Sequence, residues 1–166
     1  MTNPTDSVRR FYDALGRGDV ATVVSLLDSQ VQWTEAESFP YYGGTWEGPE
    51  AVLNNLLIPL ARDWEGFAAS AHEFIASGDR VVSLGIYTGT FKKTGRAVNA
   101  AFAHVWTVRS GKLTRFDMYT DTAKVLEAVK GYPSEESGAR NSPVSSALST
   151  ARVRSRAPNL ARMLET

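Results

Sequence analysis

The sequence contains no cysteine and only two histidines, His72 and His104. Disulfides, thiol nucleophiles and zinc–thiolate sites are therefore excluded, and a histidine-based metal cluster is hard to assemble. Net charge is absent as well, since 18 Lys and Arg residues balance 18 Asp and Glu. A neutral chain has no electrostatic footprint for nucleic acid, so that partner is not expected. No window approaches the ~18 apolar residues of a membrane span. The opening Met-Thr-Asn-Pro-Thr-Asp has no apolar stretch behind a basic start, unlike a secretory signal. A non-membrane, cytoplasmic protein is the default expectation. There is also no G-x-S-x-G elbow, Walker A loop, G-x-G-x-x-G turn or H-E-x-x-H pair. Hydrolase, nucleotide and metalloprotease readings therefore lack their motifs.

What is present is an ordinary globular balance over 166 residues, 43% hydrophobic and 22% charged. That is enough chain for one domain with a real core. The spacing predicts a helix over 3–17, with Asn3 as cap, Pro4 at the first position, and Val8, Phe11, Tyr12 and Leu15 on one face. Asp19 can cap a second short helix. Residues 31–36 alternate as a strand that places Val31, Trp33 and Glu35 on one side. An aromatic, glycine-rich segment follows, from Phe39 to Gly48, which suits a pocket lid better than a phosphate cradle. Pro49 opens a third helix, which Pro59 should kink or shorten.

From residue 67 to 121 the pattern is that of four long strands. They are separated by turns at Ser77-Gly78-Asp79, Lys93 to Arg96, and Arg109 to Lys112. Short turns make sequential strands antiparallel. The last turn sets His104 opposite Met118 and Trp106 opposite Phe116. A short helix over 122–130 closes the domain. Helices segregated to one face of a largely antiparallel sheet make an α+β fold. The expected domain is 1–131. Residues 132–166, rich in Ser, Pro and Arg, read as a mobile or surface-draped tail.

Three residues stand out as candidates for chemistry. Glu35 shares the face of Trp33, where a carboxylate is costly unless paired, protonated or open to a cavity; desolvation would raise its pKa toward neutrality. The competing placement is a strand end that reaches water or an arginine. His104 lies on the bulky face of its strand with Phe102 and Trp106. It has the pKa of a proton relay, although a strand histidine is more often a satisfied core residue. Tyr87, between Gly85 and Gly89 at period two, has room to donate a hydrogen bond into a cavity. Phe11, Tyr12, Trp33, Phe39, Tyr41, Tyr42, Phe102, Trp106, Phe116 and Met118 are the expected pocket walls. Leu84, Ile86 and Thr88, opposite Tyr87, are candidates for a dimer face.

Several segments together resemble the SnoaL-like proteins of the nuclear transport factor 2-like superfamily. They are Arg9-Arg10-Phe11-Tyr12-Asp13-Ala14-Leu15 with Gly18-Asp19, Val31-x-Trp33-Thr34-Glu35, Tyr42-Gly43-Gly44-x-x-x-Gly48, Phe102-Ala103-His104-Val105-Trp106 and Tyr119-Thr120-Asp121. The resemblance covers roughly residues 4–130. It implies a cone of N-terminal helices on a curved, antiparallel-rich mixed sheet that encloses a pocket, and a homodimer. The superfamily includes ketosteroid isomerases, polyketide cyclases and limonene-epoxide-type hydrolases. Glu35 falls where the isomerases carry their aspartate base. Phe11, with Tyr12 beside it, stands at their oxyanion tyrosine, and His104 or Ala103 at their second donor. The hydrolases' Asp-Arg-Asp positions hold Tyr87, Gly85 and Met118, so that mechanism is not expected. The resemblance implies a cofactor-independent acid–base enzyme, an isomerase or cyclase, acting on a small apolar carbonyl compound with no cofactor or metal. The alternative is a binding module or dimeric carrier using the same pocket.

Overall fold

The computed structural model describes residues 3–131; the expected tail, 132–166, lies outside the described residues. Helix α1 (Pro4–Arg17) begins where the Asn3 side chain accepts the Thr5 N–H at 3.0 Å. It ends at Gly18, whose φ of 71° lets its N–H turn back to the last carbonyls. Asp19 caps α2 (Val20–Leu26) by accepting the Thr22 N–H at 3.0 Å. Strand β1 (Leu27–Thr34) follows at once. It starts four residues before the predicted strand, because Asp28-Ser29-Gln30 carry no alternating apolar signal. Its pairing with the neighbouring strand is irregular there and regular only from Gln32.

The segment read as a pocket lid is corrected in part. Thr45–Glu47 form β2, an edge strand antiparallel to β1 with Trp33 opposite Trp46. Three residues among glycines carry no periodicity, so only the pairing partner defines this strand. The third helix is broken as Pro59 requires. It runs as α3 (Pro49–Val52), a π-turn (Leu53–Leu57) and α4 (Ile58–Asp63). Proline has no N–H to give to the carbonyl of Asn55, and its ring would strike that carbonyl. A wider turn relieves both problems.

Strands β3 (Trp64–Ser77), β4 (Arg80–Phe91), β5 (Arg96–Arg109) and β6 (Lys112–Thr120) form the predicted meander, closed by α5 (Thr122–Lys130). Among the described residues the sheet order is β2-β1-β6-β5-β4-β3, parallel only between β1 and β6. His104 pairs with Met118 and Trp106 with Phe116. The sheet is mixed and open, with helices on one face. Two irregularities in β3, at Glu65/Ala68 and Ala71/Glu73, bend it. Gly89 allows the first, since a Cβ there would lie 2.9 Å from the Phe67 Cα.

The core lies between α1 and the inner sheet face. Phe11 of α1 sits 4.9 Å from Trp106 and 5.8 Å from Trp33, ring centre to ring centre. The outer face leaves Ile75, Ile86 and Tyr119 exposed. Among the described residues, no helix is long and apolar enough to cross a membrane.

Candidate functional site

Glu35 follows the last residue of β1 and keeps the inward parity of Val31 and Trp33. It is 4% exposed, which is the buried one of its two candidate placements. The Trp33 indole N–H donates to its Oε1 at 2.6 Å. Among the described residues, no ion pair reaches it. Burial pushes its pKa up to about 7, while the Trp33 bond, which favours the charged form, pulls the other way.

A line of hydrogen bonds that reaches the same cavity joins α1, β4 and β5. The Tyr87 hydroxyl is 2.5 Å from His104 Nε2, and the Tyr12 hydroxyl is 2.5 Å from His104 Nδ1. Tyr12 also meets Ser83 Oγ at 2.6 Å, and the Trp106 indole N–H donates to the same Oγ at 3.0 Å. Both nitrogens of His104 are thus engaged. Burial holds its pKa well below the ordinary value, so the ring is neutral near pH 7. Burial also raises the Tyr87 phenol well above its usual range, and the Glu35 charge adds to that. Burial raises the Tyr12 phenol as well, so both tyrosines keep their hydroxyl hydrogen near pH 7.

Glu35, Tyr87, His104, Tyr12, Phe11, Trp33, Phe39 and Phe116 line one narrow apolar cavity of about 40 Å³. Leu15, Leu56, Leu57, Leu60, Phe67 and Ala69 complete it. The π-turn therefore supplies two of its walls. Phe102, Trp106 and Met118 are buried but do not line it. Phe102 instead stacks on His104 at 3.9 Å. Tyr41 and Tyr42 require correction, because both face a separate surface groove with Trp46 and Pro59. Tyr41 is held there as donor to Asp63 (3.0 Å) and acceptor from Trp64 (3.1 Å), while Tyr42 is exposed. Ser83 was missed. Its inward parity with Tyr87 was the available signal, a hydroxyl on an otherwise apolar face. Among the described residues, no cluster of three or more His, Asp or Glu is placed to hold a metal.

The SnoaL-like domain model matches residues 8–116 of the chain. The chain belongs to the SnoaL-like family. A solved NTF2-like protein from Burkholderia thailandensis E264 is 32% identical, with a TM-score of 0.74, over 78% of this chain and 98% of its own. TerC, co-crystallised with polyporic acid, is 27% identical, with a TM-score of 0.67, over 77% and 98%. A proposed SnoaL-like polyketide cyclase from Jannaschia sp. CCS1 shares the fold at 19% identity and a TM-score of 0.63, over 78% and 93%. No curated protein sequence matches the chain. In this SnoaL-like chain the carboxylate and the tyrosine–histidine pair line one apolar cavity. A carboxylate with a pKa near neutrality thus lines the same apolar space as hydrogen-bond donors.

Proposed function

We propose that the protein is a cofactor-independent acid–base enzyme acting on a small, apolar, carbonyl-bearing molecule. The observation that carries this reading is Glu35. It is a carboxylate buried in an aromatic cavity with one hydrogen-bond donor, and its pKa of about 7 matches a base working at neutral pH. Glu35 takes a proton from the carbon next to the carbonyl. The electron pair of that C–H bond becomes the enolate C=C bond, the carbonyl π pair moves onto the oxygen, and the Tyr87–His104 pair supplies a hydrogen bond to the resulting oxyanion. Where a conjugated C=C extends the enolate, its far carbon takes the proton back from Glu35, which is isomerisation. Where the enolate carbon attacks a second carbonyl, that carbonyl's π pair moves to its oxygen and takes the proton from Glu35, which is cyclisation. The apolar lining selects an apolar ligand. TerC, a relative co-crystallised with polyporic acid, supports a small organic occupant.

The test is deuterium exchange from D2O into a panel of cyclic enones and aryl diketones, with the wild-type chain and Glu35→Gln. The expected result is enzyme-dependent exchange that falls by roughly 10²-fold or more in the variant, the usual weight of a general base. Exchange that survives Glu35→Gln sinks the mechanism. Saturable binding without exchange replaces the enzyme with a carrier that uses the same cavity.

A further inference from the structure

The line Trp106–Ser83–Tyr12–His104–Tyr87 has four contacts, and its five members bring five hydrogens when His104 is neutral. Each contact consumes one hydrogen, so one is left over. Where it falls decides the direction of the whole line. The Trp106 N–H can only donate, and it occupies its contact with Ser83. Neutral His104 carries its hydrogen on one of two nitrogens that both have partners, so it cannot hold the spare one. Tyr12 meets Ser83 at 2.6 Å and His104 at 2.5 Å. A phenol oxygen has one good in-plane acceptor site beside its in-plane hydrogen, so with two such close partners it donates to one and accepts from the other. Only the two ends of the remaining line are left, Ser83 and Tyr87.

Ser83 is fully buried at 0% exposure, and among the described residues its hydroxyl meets only Trp106 and Tyr12. A spare hydrogen there would be an orphaned buried donor, which costs far more than a hydrogen turned toward a cavity. Tyr87 lines the cavity, and among the described residues no further acceptor bonds its hydroxyl. We infer that the chain runs one way, from Trp106 through Ser83 and Tyr12 to His104 Nδ1. It holds His104 as the Nε2–H tautomer and leaves the Tyr87 O–H to donate to an acceptor oxygen of the ligand.

Tyr87 is then the group that touches the ligand. His104, Tyr12 and Ser83 are positioning residues that act through it. The site accepts a ligand whose carbonyl, enolate or phenolate oxygen lies at Tyr87, and it disfavours one that offers a donor there. Each hydrogen bond polarises the next, so the His104 N–H also strengthens Tyr87 as a donor. This assignment rests on the acid–base reading only for its consequence. The direction of the line can be measured without any substrate.

The experiment is nitrogen NMR on ¹⁵N-histidine-labelled full-length chain, with His72→Gln to assign the second histidine. The expected His104 spectrum shows a protonated Nε2 and an unprotonated Nδ1 that accepts a hydrogen bond. A protonated Nδ1, or protons on both nitrogens, overturns the inference. In Tyr12→Phe, Nδ1 loses its donor. Its signal then moves downfield toward that of a free ring nitrogen, or the second tautomer appears. Unchanged His104 signals in that variant also overturn the inference. Loss of deuterium exchange in Glu35→Gln tests the other reading, so the two can fail separately.

Discussion

The Trp33 indole donates a 2.6 Å hydrogen bond to the carboxylate of Glu35, two residues further along the chain and on the same face. The same ring stacks on Phe116 at 3.8 Å, which fixes the direction of its N–H. Glu35 therefore has a donor oriented by packing rather than by a second polar group. That bond stabilises the ionised carboxylate against the cost of burial.

Replacing Trp33 with Phe keeps a ring against Phe116 and removes the donor. A hydrogen bond to a charged group contributes about 1.5–3 kcal/mol. The proton affinity of Glu35 should thus rise roughly ten- to hundredfold. Carbon NMR titration of the Glu35 carboxyl group reads this directly. A midpoint at or below the wild-type value would show that the indole does not support the charge.

Gly85 makes room for the stack on His104. A Cβ at this position would lie 2.3 Å from Phe102 Cζ and 2.3 Å from the Ser70 carbonyl oxygen. The ring can move, but the carbonyl is held in the β3–β4 ladder, where Ala71 pairs with Gly85. Gly85→Ala should destabilise the fold by about 1–3 kcal/mol, the usual cost of overpacking. It should also shift the ring resonances of Phe102 and His104. An unchanged melting temperature would show that the strands part more easily than their register suggests.

Most of the fold was legible in the sequence because strand parity and turn spacing act locally. The turn at Arg109–Lys112 set His104 opposite Met118. The caps at Asn3 and Asp19, and the bounds of α5, followed from short-range chemistry. The inward parity of Glu35 with Trp33 was legible, but its burial was not, because a strand end can equally reach water. What was not legible depended on distant partners. Strand β2 exists only through its pairing with β1. Tyr41 and Tyr42 sit in a loop, where no period dictates direction, and Tyr41 turns outward to Asp63. The bonds from Tyr12 to Ser83 and His104 span 71 and 92 residues. No local rule brings those groups together.

Phe116 is 2% exposed and touches Trp33, Trp106 and His104. Its truncation to Ala should cost about 3–5 kcal/mol, since the stacked indoles can collapse only partly into the space left. The enlarged cavity is apolar and should take benzene or a similar small arene. Saturating ligand would then recover part of the lost melting temperature in the variant. If the wild type gained as much from the ligand as the variant, the new space would not be the binding site.

Glu35 also links stability to pH, and the sign follows from burial. Its folded pKa of about 7 lies above the ordinary value of 4.5. Below the ordinary value the group is protonated in both states and carries no penalty. Between about pH 4.5 and 7 the unfolded chain ionises while desolvation keeps the folded carboxyl protonated. Stability is lost over that window, by roughly 3 kcal/mol at order of magnitude. His104 works in the opposite sense, because its depressed pKa withdraws stability as pH falls below 6.5. The two slopes overlap in the wild type, but His104 contributes equally in Glu35→Gln and cancels in the difference. Urea denaturation of both proteins between pH 4.5 and 8 should therefore show the Gln variant gaining on the wild type as pH rises, with most of the gain complete just above pH 7. A difference that stays flat across that range would mean that Glu35 ionises in the fold as easily as in water.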